Sequence, residues 1–226
     1  MTEDTKTALL EASLPHVPFD GWSEATFRAA GQDAGVSPAL ARAVCPRGAV
    51  DLAMAYHALG DRLMLARFGA ADLAGMRYRD RIAAAVRLRL EVADRELVRR
   101  GTTLFALPQH APGGIRAIWG TADAIWTALG DTSDDMNWYS KRAILSAVYS
   151  ATILFWLGDT SPGQTATRGF LDRRIEDVMA FEKTKAKANA NPLVKSLLAG
   201  PGRLMARVKA PVRFTPRDLP GRWAGK

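Results

Sequence analysis

The sequence predicts an all-α protein, a bundle of amphipathic helices built from 226 residues. No stretch alternates apolar and polar residues with the β-branched enrichment of strands, whereas apolar residues recur at helical spacing along most of the chain. Glycines and prolines separate the successive helical runs. Three dipeptides place a capping side chain before a proline suited to the first helical turn: Ser37-Pro38, Ser161-Pro162 and Asn191-Pro192.

Helices are predicted, in chain order, at 4–14, 22–34, 38–44, 49–69, 72–100, 114–129, 134–157, 162–188 and 192–209. Within 72–100, five apolar residues step by three or four positions and form one stripe that faces a core: Ile82, Val86, Leu90, Ala93 and Leu97. The last helix is interrupted by Gly200-Pro201-Gly202, and the prolines of 210–226 predict an extended or disordered course.

Residues 143–158 form a run of sixteen positions without a formally charged side chain. A membrane-spanning helix needs about 20 predominantly apolar residues, and this run is shorter and includes several hydroxyl groups. It therefore predicts a helix that is buried on most sides. Such a helix fits the centre of the core, a dimer interface or the wall of an apolar pocket.

The formal net charge of +8 is distributed unevenly. Residues 183–226 carry eleven Lys and Arg against one Asp, whereas residues 1–182 are slightly acidic. A strongly basic chain is typical of nucleic-acid binding, but this distribution indicates that one end alone meets an anionic partner. The single cysteine, Cys45, excludes a disulfide framework and a cysteine-based zinc site.

These patterns divide the chain into a helix-turn-helix-like region at 1–60, a helical body at 61–188 and a basic amphipathic tail at 189–226. The apolar face of the tail comprises Val194, Leu197, Leu198, Leu204, Met205 and Val208, and its basic face comprises Lys195, Arg203 and Arg207. This pattern is typical of binding to a membrane surface or to the groove of a partner protein. A helix that packs back on the body, with its cations solvated, is the alternative.

Residues 22–57 resemble the helix-turn-helix of TetR-type regulators, because the segment AAGQDAGVSPAL at 29–40 has the small residues and the Gly-Val-Ser turn of that motif. However, residues 1–60 carry four Lys and Arg against seven Asp and Glu. The would-be recognition helix at 37–44 offers one cation, Arg42. Since non-specific DNA affinity is mainly electrostatic, no nucleic acid is expected as a partner. A TetR-type transcriptional regulator that senses a lipid ligand is the alternative function.

Asp131, Asp134 and Asp135 form a DxxDD cluster that could hold a magnesium ion against a pyrophosphate. The sequence contains no second cluster to face it, and acidic residues in the first turn of a helix also complement its dipole. Nucleotide-binding loops, nucleophile elbows and Glu-x-x-His metal pairs are absent from the sequence. We therefore predict a protein that is not an enzyme and uses neither metal nor cofactor, and an enzyme that uses this cluster is a further hypothesis.

Four large aromatic residues lie within 119–142: Trp119, Trp126, Trp138 and Tyr139. A tryptophan in a core needs a partner for its indole N–H, whereas Trp and Tyr at a surface are common hot spots of binding. Acidic residues directly precede Asn137-Trp138-Tyr139, so at least one of these aromatics is expected near the surface. The chemistry alone favours core and interface equally.

Several segments match a known family: WGTADAIW at 119–126, GDTSDDMNWYSKRAIL at 130–145, DTSP at 159–162 and FLDRRI at 170–175. PFDGWSEATF at 18–27 and Pro46-Arg47-Gly48 match as well. Over most of residues 15–185, the chain resembles the lipid-binding accessory family of ubiquinone (coenzyme Q) biosynthesis, the ninth member of that series.

This resemblance implies a TetR-like helical bundle with a vestigial helix-turn-helix, and a C-terminal amphipathic helix that touches an anionic membrane surface. It implies a pocket for an isoprenoid lipid or quinone intermediate, whose walls we expect to be Leu104, Leu107, Ile118, Trp126, Tyr149, Ile153 and Trp156. It also implies that an aromatic surface docks the demethoxyubiquinone hydroxylase, through Asp135, Asn137, Trp138 and Tyr139. The expected function is a non-enzymatic accessory role that presents the quinone intermediate to this hydroxylase at the membrane.

By analogy with other TetR-like folds, we expect a homodimer joined through the helices at 134–157 and 162–188. No mitochondrial presequence is recognised in the sequence. We therefore expect a bacterial member of the family, cytoplasmic and peripheral on the inner face of the plasma membrane.

Overall fold

The computed structural model describes residues 2–190 and 209–211. Within these residues the chain is helical and contains no strand, so the predicted all-α class is confirmed. The helices are α1 Thr2–Ser13, α2 Val17–Asp20, α3 Glu24–Asp33, α4 Pro38–Val44, α5 Ala49–Ala70, α6 Tyr78–Glu91, α7 Arg95–Phe105, α8 Ala111–Ala128, α9 Met136–Gly158 and α10 Thr165–Ala190, with a 3₁₀ helix at Pro162–Gln164.

The N-terminal region packs α1–α4 around the first half of α5. Ser23 and Ser37 begin α3 and α4, because their side chains accept hydrogen bonds from the backbone N–H groups of Thr26 and Leu40, at 3.2 and 3.3 Å. The apolar residues that these helices bury form one core, which includes Leu9, Val17, Trp22, Phe27, Cys45, Leu52 and Leu97. This arrangement is the three-dimensional form of the helix-turn-helix-like motif predicted at 22–57.

The body packs α6, α8, α9 and α10 around the second half of α5. Its core includes Met64, Val86, Leu90, Ile125, Leu145, Tyr149, Trp156 and Leu171. Helix α5 runs from Ala49 to Ala70 without a break and contributes to both cores. It therefore crosses the predicted boundary between residues 60 and 61 as one rigid element.

The single helix predicted at 72–100 is wrong, because the chain forms two helices there, α6 and α7. The first ends at Glu91, and Asp94 caps the second, since its side chain accepts hydrogen bonds from the backbone N–H groups of Glu96 and Leu97, at 2.8 and 3.0 Å. The hydroxyl of Tyr56 accepts a hydrogen bond from the Asp94 N–H at 2.9 Å. The predicted stripe is consequently divided between the two cores: Val86 and Leu90 belong to the body and Leu97 to the N-terminal region.

Helix α9 contains the uncharged run predicted to be buried, and it lies at the centre of the body. Tyr149 and Trp156 are almost completely buried on it, and Asp135 begins it by accepting a hydrogen bond from the Asn137 N–H at 2.8 Å. After α9, the carboxylate of Asp159 accepts hydrogen bonds from Ser161 and Thr167, which lower its pKa and fix the turn to α10. In the described part of the chain, no helix is long and apolar enough to cross a membrane.

Candidate functional site

An apolar cavity of about 490 Å³ lies between α5, α7, α8 and α9. This volume falls within the range of roughly 300–1,000 Å³ that is usual for small-molecule sites. Small residues leave the space open, among them Ala53, Gly101, Ala111 and Ala117. A ligand of largely hydrocarbon character is the kind that such a lining would hold.

Gly114 allows α8 to approach α7 closely beside the cavity. A Cβ atom at this position would lie 2.8 Å from the Cβ of Phe105, a distance that side chains do not tolerate without a shift. Phe105 itself lines the cavity. The glycine is therefore required by the close packing of the two helices that form this wall.

The cavity opens to solvent between α8 and α9. Ile115 on α8 and Leu154 on α9 both line the cavity, and they remain 71% and 62% exposed. Residues that belong to both a cavity lining and the surface mark an opening. The entrance is consequently apolar on both sides.

A hydrogen-bonded polar network adjoins the cavity on the α5, α6 and α8 side. The Nε of Arg89 and the Oγ1 of Thr121 donate to the same carboxylate oxygen of Asp61, at 2.7 and 2.9 Å. The Nε2 of His57 lies 2.8 Å from the Thr121 Oγ1 and 3.1 Å from the backbone oxygen of Ala117. The buried cation and the buried anion are thus matched, as burial of charge requires.

The titratable groups near the cavity are neutral apart from this ion pair. Burial lowers the pKa of His57, and this effect exceeds the opposing attraction of Asp61. Burial raises the pKa of Tyr149 to about 12. Since Asp61 and Arg89 balance each other, the lining as a whole suits an uncharged ligand better than a phosphate or a carboxylate.

The structure places the seven predicted pocket residues in four different environments. Ile118 and Ile153 line the cavity. Trp126, Tyr149 and Trp156 fill the body core, Leu104 packs against the N-terminal core, and Leu107 is 45% exposed. These five do not line the cavity. The three large aromatic side chains fill the body core instead of bordering empty space. Contact of the seven with a lipid stays a prediction.

Sequence reasoning missed the polar residues of the lining and Trp119. His57, Arg89, Ser146 and Ser150 all border the cavity. The available signal was the spacing on α9, where Ser146, Ser150 and Ile153 lie at i, i+4 and i+7 and therefore on one face.

An aromatic patch lies at the junction of α8 and α9 and consists of Trp119, Trp138 and Tyr139. The ring of Trp138 lies 6.0 Å from that of Trp119 and 4.8 Å from that of Tyr139, centre to centre. Trp138 is only 8% exposed and Tyr139 is half-buried, whereas Asp135 and Asn137 are exposed at the edge of the patch. Of the four predicted docking residues, Trp138 is thus the buried one, and Tyr139 packs against its ring.

Arg142 holds Trp138 in place from the inside of the body. Its guanidinium group lies 4.0 Å from the centre of the Trp138 ring, and its Nη1 donates to the Trp138 backbone oxygen at 3.1 Å. The same group binds Asp123 and Asp131 at 2.6 and 3.0 Å, and the Arg142 side chain is 1% exposed. The patch therefore rests on a buried ion network.

The three aspartates of the DxxDD cluster have separate roles. Burial alone would raise the pKa of Asp131, but hydrogen bonds from Lys141, Arg142 and Ser133 outweigh it and lower the pKa to about 2. Asp135 caps α9, and Asp134 lies 3.5 Å from the Nζ of Lys209. Among the described residues, no group of three or more His, Cys, Asp or Glu side chains could hold a metal ion.

Residues 209–211 lie at the edge of the aromatic patch. The hydroxyl of Tyr139 donates to the backbone oxygen of Lys209 at 3.1 Å, and the N–H of Ala210 donates to the backbone oxygen of Asp134 at 2.8 Å. The tail residues predicted to bind a membrane lie outside the described residues: Val194, Lys195, Leu197, Leu198, Arg203, Leu204, Met205, Arg207 and Val208.

Trp119 joins the cavity to the aromatic patch. It lines the cavity, and its ring contacts that of Trp138. The cavity and the aromatic patch therefore share this residue. An all-helical body with an apolar cavity, behind a helix-turn-helix-like region, defines the class: a TetR-like fold.

Comparison with solved structures confirms the fold. The crystal structure of the TetR transcriptional regulator from Nitrosomonas europaea ATCC 19718 superposes with a TM-score of 0.62, at 18% identity, over 76% of this chain and 97% of that chain.

Comparison with known sequences gives the family. The COQ9 family profile matches residues 111–182, which include α8, α9 and the aromatic patch. The chain is 30% identical to ubiquinone biosynthesis protein COQ9, mitochondrial, of Rattus norvegicus (87% of this chain, 66% of that protein) and 28% identical to the Homo sapiens protein (87% and 65%). It is 32% identical to the Schizosaccharomyces pombe protein (78% and 70%). The chain belongs to the COQ9 family.

The chain spans 66% and 65% of the length of the rat and human relatives. These comparisons also contradict one expectation, the location on the inner face of a bacterial plasma membrane. The curated relatives are named as mitochondrial proteins. The expectation of a bacterial location rested on the fact that no mitochondrial presequence was recognised in the sequence. That observation does not determine where members of the family are located.

Proposed function

We propose that this protein is a non-enzymatic, lipid-binding accessory protein of ubiquinone biosynthesis. It holds an isoprenoid quinone intermediate in the cavity and presents it to the demethoxyubiquinone hydroxylase at a membrane. Family membership supports the pathway, since the relatives are named as ubiquinone biosynthesis proteins. The observation that carries the proposal is the position of Trp119, which lines the cavity on one side and contacts Trp138 of the aromatic patch on the other.

The cavity supports the lipid part of the proposal by partitioning. A long isoprenoid chain is very insoluble, at about 0.8 kcal/mol for each methylene group removed from water. The apolar lining and the exposed apolar residues at the entrance, Ile115 and Leu154, provide a continuous path of low polarity from surface to interior. The protein therefore lowers the cost of moving such a molecule out of a bilayer.

The aromatic patch supports the partner part of the proposal. Asp135 and Asn137 are exposed, and the half-buried ring of Tyr139 packs edge-on against the buried ring of Trp138. Rigid aromatic groups surrounded by polar groups are typical of binding hot spots. The hydroxylase is thus proposed to contact Asp135, Asn137 and Tyr139, over a floor made by Trp138.

The tail supports the membrane part of the proposal through its composition. Residues 183–226 carry eleven cations and one anion, and each cation near an anionic leaflet contributes about 1 kcal/mol. Deleting 192–226 is expected to reduce co-flotation with anionic vesicles strongly and with neutral vesicles little. Unchanged flotation on anionic vesicles would contradict this assignment.

A homodimer through α9 and α10 is proposed as the assembled form. Phe155 on α9 and Phe170 on α10 stack with their ring centres 4.5 Å apart, and Phe155 and Met179 stay 38% and 39% exposed. Exposed apolar groups on adjoining helices are suited to a second copy of the same surface.

A reconstituted assay tests the presentation step. The hydroxylase acts on demethoxyubiquinone in vesicles, with and without this protein, and the initial rate is measured. We expect the protein to raise the rate and Ala147→Phe to remove that effect, because Ala147 lines the cavity at an exposed position. Ala143→Phe is the matched control, since Ala143 is exposed on the same helix and does not line the cavity. Equal rates with both variants would contradict the proposal.

The alternative function, a TetR-type regulator that senses a lipid, is supported by the fold alone. The cation of the would-be recognition helix, Arg42, pairs with Glu24 and lies 4.8 Å from the ring centre of Phe27. It is therefore engaged within the N-terminal region.

A further inference from the structure

Residues 209–211 contact the body at the edge of the aromatic patch, where the hydroxylase is proposed to dock. The Tyr139 hydroxyl donates to the backbone oxygen of Lys209 at 3.1 Å, and the Ala210 N–H donates to the backbone oxygen of Asp134 at 2.8 Å. The accepting oxygen of Lys209 and the donating N–H of Ala210 belong to the same peptide group, in which they point in opposite directions. The body therefore holds this one peptide group from both sides.

The loop that presents the backbone oxygen of Asp134 is fixed by the buried ion network. The carboxylate of Asp131, in the same loop, is 2% exposed and accepts a hydrogen bond from Lys141 at 2.6 Å. Arg142 pairs with the same carboxylate at 3.0 Å. These contacts do not involve residues 209–211. The body therefore fixes the receiving loop independently of the segment that it receives.

The sequence of the segment suits this position. Pro211 has no backbone N–H that would need a partner, and it restricts Ala210 to extended conformations. Such a restriction lowers the entropic cost of binding. The Nζ of Lys209 lies 3.5 Å from the carboxylate of Asp134, so an opposite charge is added at the same point. Residues 209–211 thus match the edge of the patch in conformation, hydrogen bonding and charge.

The contact is also easy to displace. The side chains of Lys209 and Asp134 are 70% and 80% exposed, and exposed ion pairs contribute little to stability. The two hydrogen bonds join uncharged groups, and their net contribution is small because water competes for the same groups. Tyr139 has a single hydroxyl proton, which is donated to Lys209. A partner that binds this proton must consequently displace residues 209–211.

We infer that residues 209–211 form an autoinhibitory strap on the aromatic patch. In the free protein the strap occupies Tyr139 and Asp134, and the hydroxylase has to displace it. At a membrane, anionic headgroups compete with Asp134 for Lys209, so the strap leaves and the patch becomes available. This inference rests on the proposed function and adds its regulation, since docking is then favoured at the membrane surface.

Ala210→Pro tests the competition in the absence of lipid. It removes the N–H that donates to Asp134, and it changes neither a charge nor a residue of the body. Because the strap reduces the fraction of binding-competent protein, the affinity of the full chain for the hydroxylase is expected to rise by about three- to tenfold, the factor for one net hydrogen bond. Ala224→Pro is the matched control, since it makes the same substitution elsewhere in the basic tail and should leave the dissociation constant unchanged.

Asn137→Ala reports on the docking surface separately from the strap. Asn137 is a proposed contact of the hydroxylase, and the three strap contacts do not involve it, so this substitution should weaken binding. Tyr139→Ala would not separate the two effects, because Tyr139 contacts the strap and is also proposed to contact the hydroxylase.

Hydrogen exchange of the Ala210 amide tests the release of the strap without the hydroxylase. In the full chain in solution, this amide is expected to exchange about three- to tenfold more slowly than an unprotected amide, because it is bonded to Asp134. Phosphatidylcholine vesicles that contain phosphatidylglycerol should remove the protection, and vesicles of phosphatidylcholine alone should leave it. Only the first kind carries the anionic headgroups that compete for Lys209.

The outcomes separate the strap from the proposed function. If Asn137→Ala leaves the affinity unchanged, the proposed docking surface is wrong and the competition falls with it. If Asn137→Ala weakens binding but Ala210→Pro does not strengthen it, the docking surface stands and the autoinhibitory strap is wrong. If the Ala210 amide is protected equally on both kinds of vesicle, although the protein co-floats with the anionic ones, release of the strap by the membrane is wrong.

Discussion

The helix-turn-helix-like region and the cavity-bearing body are built from similar helices but use their polar side chains differently. In the first region, Arg42 pairs with Glu24 and Arg47 pairs with Asp51, both close to the surface. In the body, ion pairs such as Arg142 with Asp131 are buried, and Ser146 has a hydroxyl without a partner in the described residues. A TetR-like fold therefore does not by itself determine the function of the protein. The cations of the N-terminal region pair with neighbouring acids, whereas the body encloses an open cavity.

The largest expected difference between the regions is in the free energy of unfolding after loss of one arginine. Arg142→Ala removes a cation that is 1% exposed from its network with Asp123 and Asp131, and loss of one partner from a buried ion pair typically costs about 3–5 kcal/mol. Arg42→Ala breaks a pair whose side chains are 47% and 54% exposed, which typically costs about 1 kcal/mol or less. Urea denaturation of both variants measures the contrast, and equal losses would contradict it.

Much of the fold follows from the sequence because caps and apolar spacing act locally. Ser37-Pro38 begins α4 as predicted, and the uncharged run of 143–158 supplies most of the buried residues of α9. The break at Asp94 was missed, because the apolar stripe continues through it at helical spacing. Leu90 packs in the body core and Leu97 in the N-terminal core, so the chain changes direction between them, and Asp94 caps the helix that follows.

The cavity could be predicted to exist but not to lie where it does. No single residue type predicts a cavity. The position of the cavity depends on where the small residues of α7 and α8 lie between the packed helices. Trp126 and Trp156 therefore looked like pocket walls, although each is buried and donates its indole N–H, to Lys141 and Gln164 respectively. The chemistry of Asn137-Trp138-Tyr139 favoured core and interface equally; in the structure Trp138 is buried against Arg142, and Tyr139 stays half-buried.

The second prediction concerns the free energy of unfolding at low pH and the part that the buried carboxylate of Asp131 has in it. The pKa of Asp131 is lowered from 3.8 to about 2, so its contribution is complete above pH 4 and is lost as the pH falls toward 2. The lost stability amounts to about 2 kcal/mol. We expect Asp131→Asn to be less stable than wild type at pH 6 and to show a flatter profile of unfolding free energy between pH 4 and pH 2. If the profile of Asp131→Asn were as steep as that of wild type, protonation of Asp131 would not be the cause of the loss of stability at low pH.

The third prediction compares an aromatic side chain of the body with one of the N-terminal region as a contact for the hydroxylase. Tyr139→Ala is expected to weaken capture of the demethoxyubiquinone hydroxylase by about 2 kcal/mol, or roughly 30-fold. Phe19→Ala, on α2, is the control, since Phe19 is 83% exposed in the N-terminal region. Trp138→Ala is less informative, because Trp138 is buried and its loss would also destabilise the body. Equal weakening by Tyr139→Ala and Phe19→Ala would show that the patch is not the docking surface.

The smallest expected effect is on DNA. Because residues 183–226 carry eleven cations and one anion, we expect some non-specific binding to DNA at low salt. Because Arg42 is engaged with Glu24, Arg42→Ala should leave a salt-titrated gel shift unchanged. Sequence-specific binding that Arg42→Ala abolishes would instead favour the TetR-type regulator.

Binding of an isoprenoid lipid in the body cavity is the step on which the proposed function depends. Native mass spectrometry of the full chain, purified from its own host without detergent and followed by identification of the released molecule, tests this claim most directly. We predict a bound species with the mass of an isoprenoid quinone or its precursor, retained by Ala143→Phe and reduced by Ala147→Phe. A chain that is empty, or whose bound lipid is unaffected by Ala147→Phe, would contradict the account.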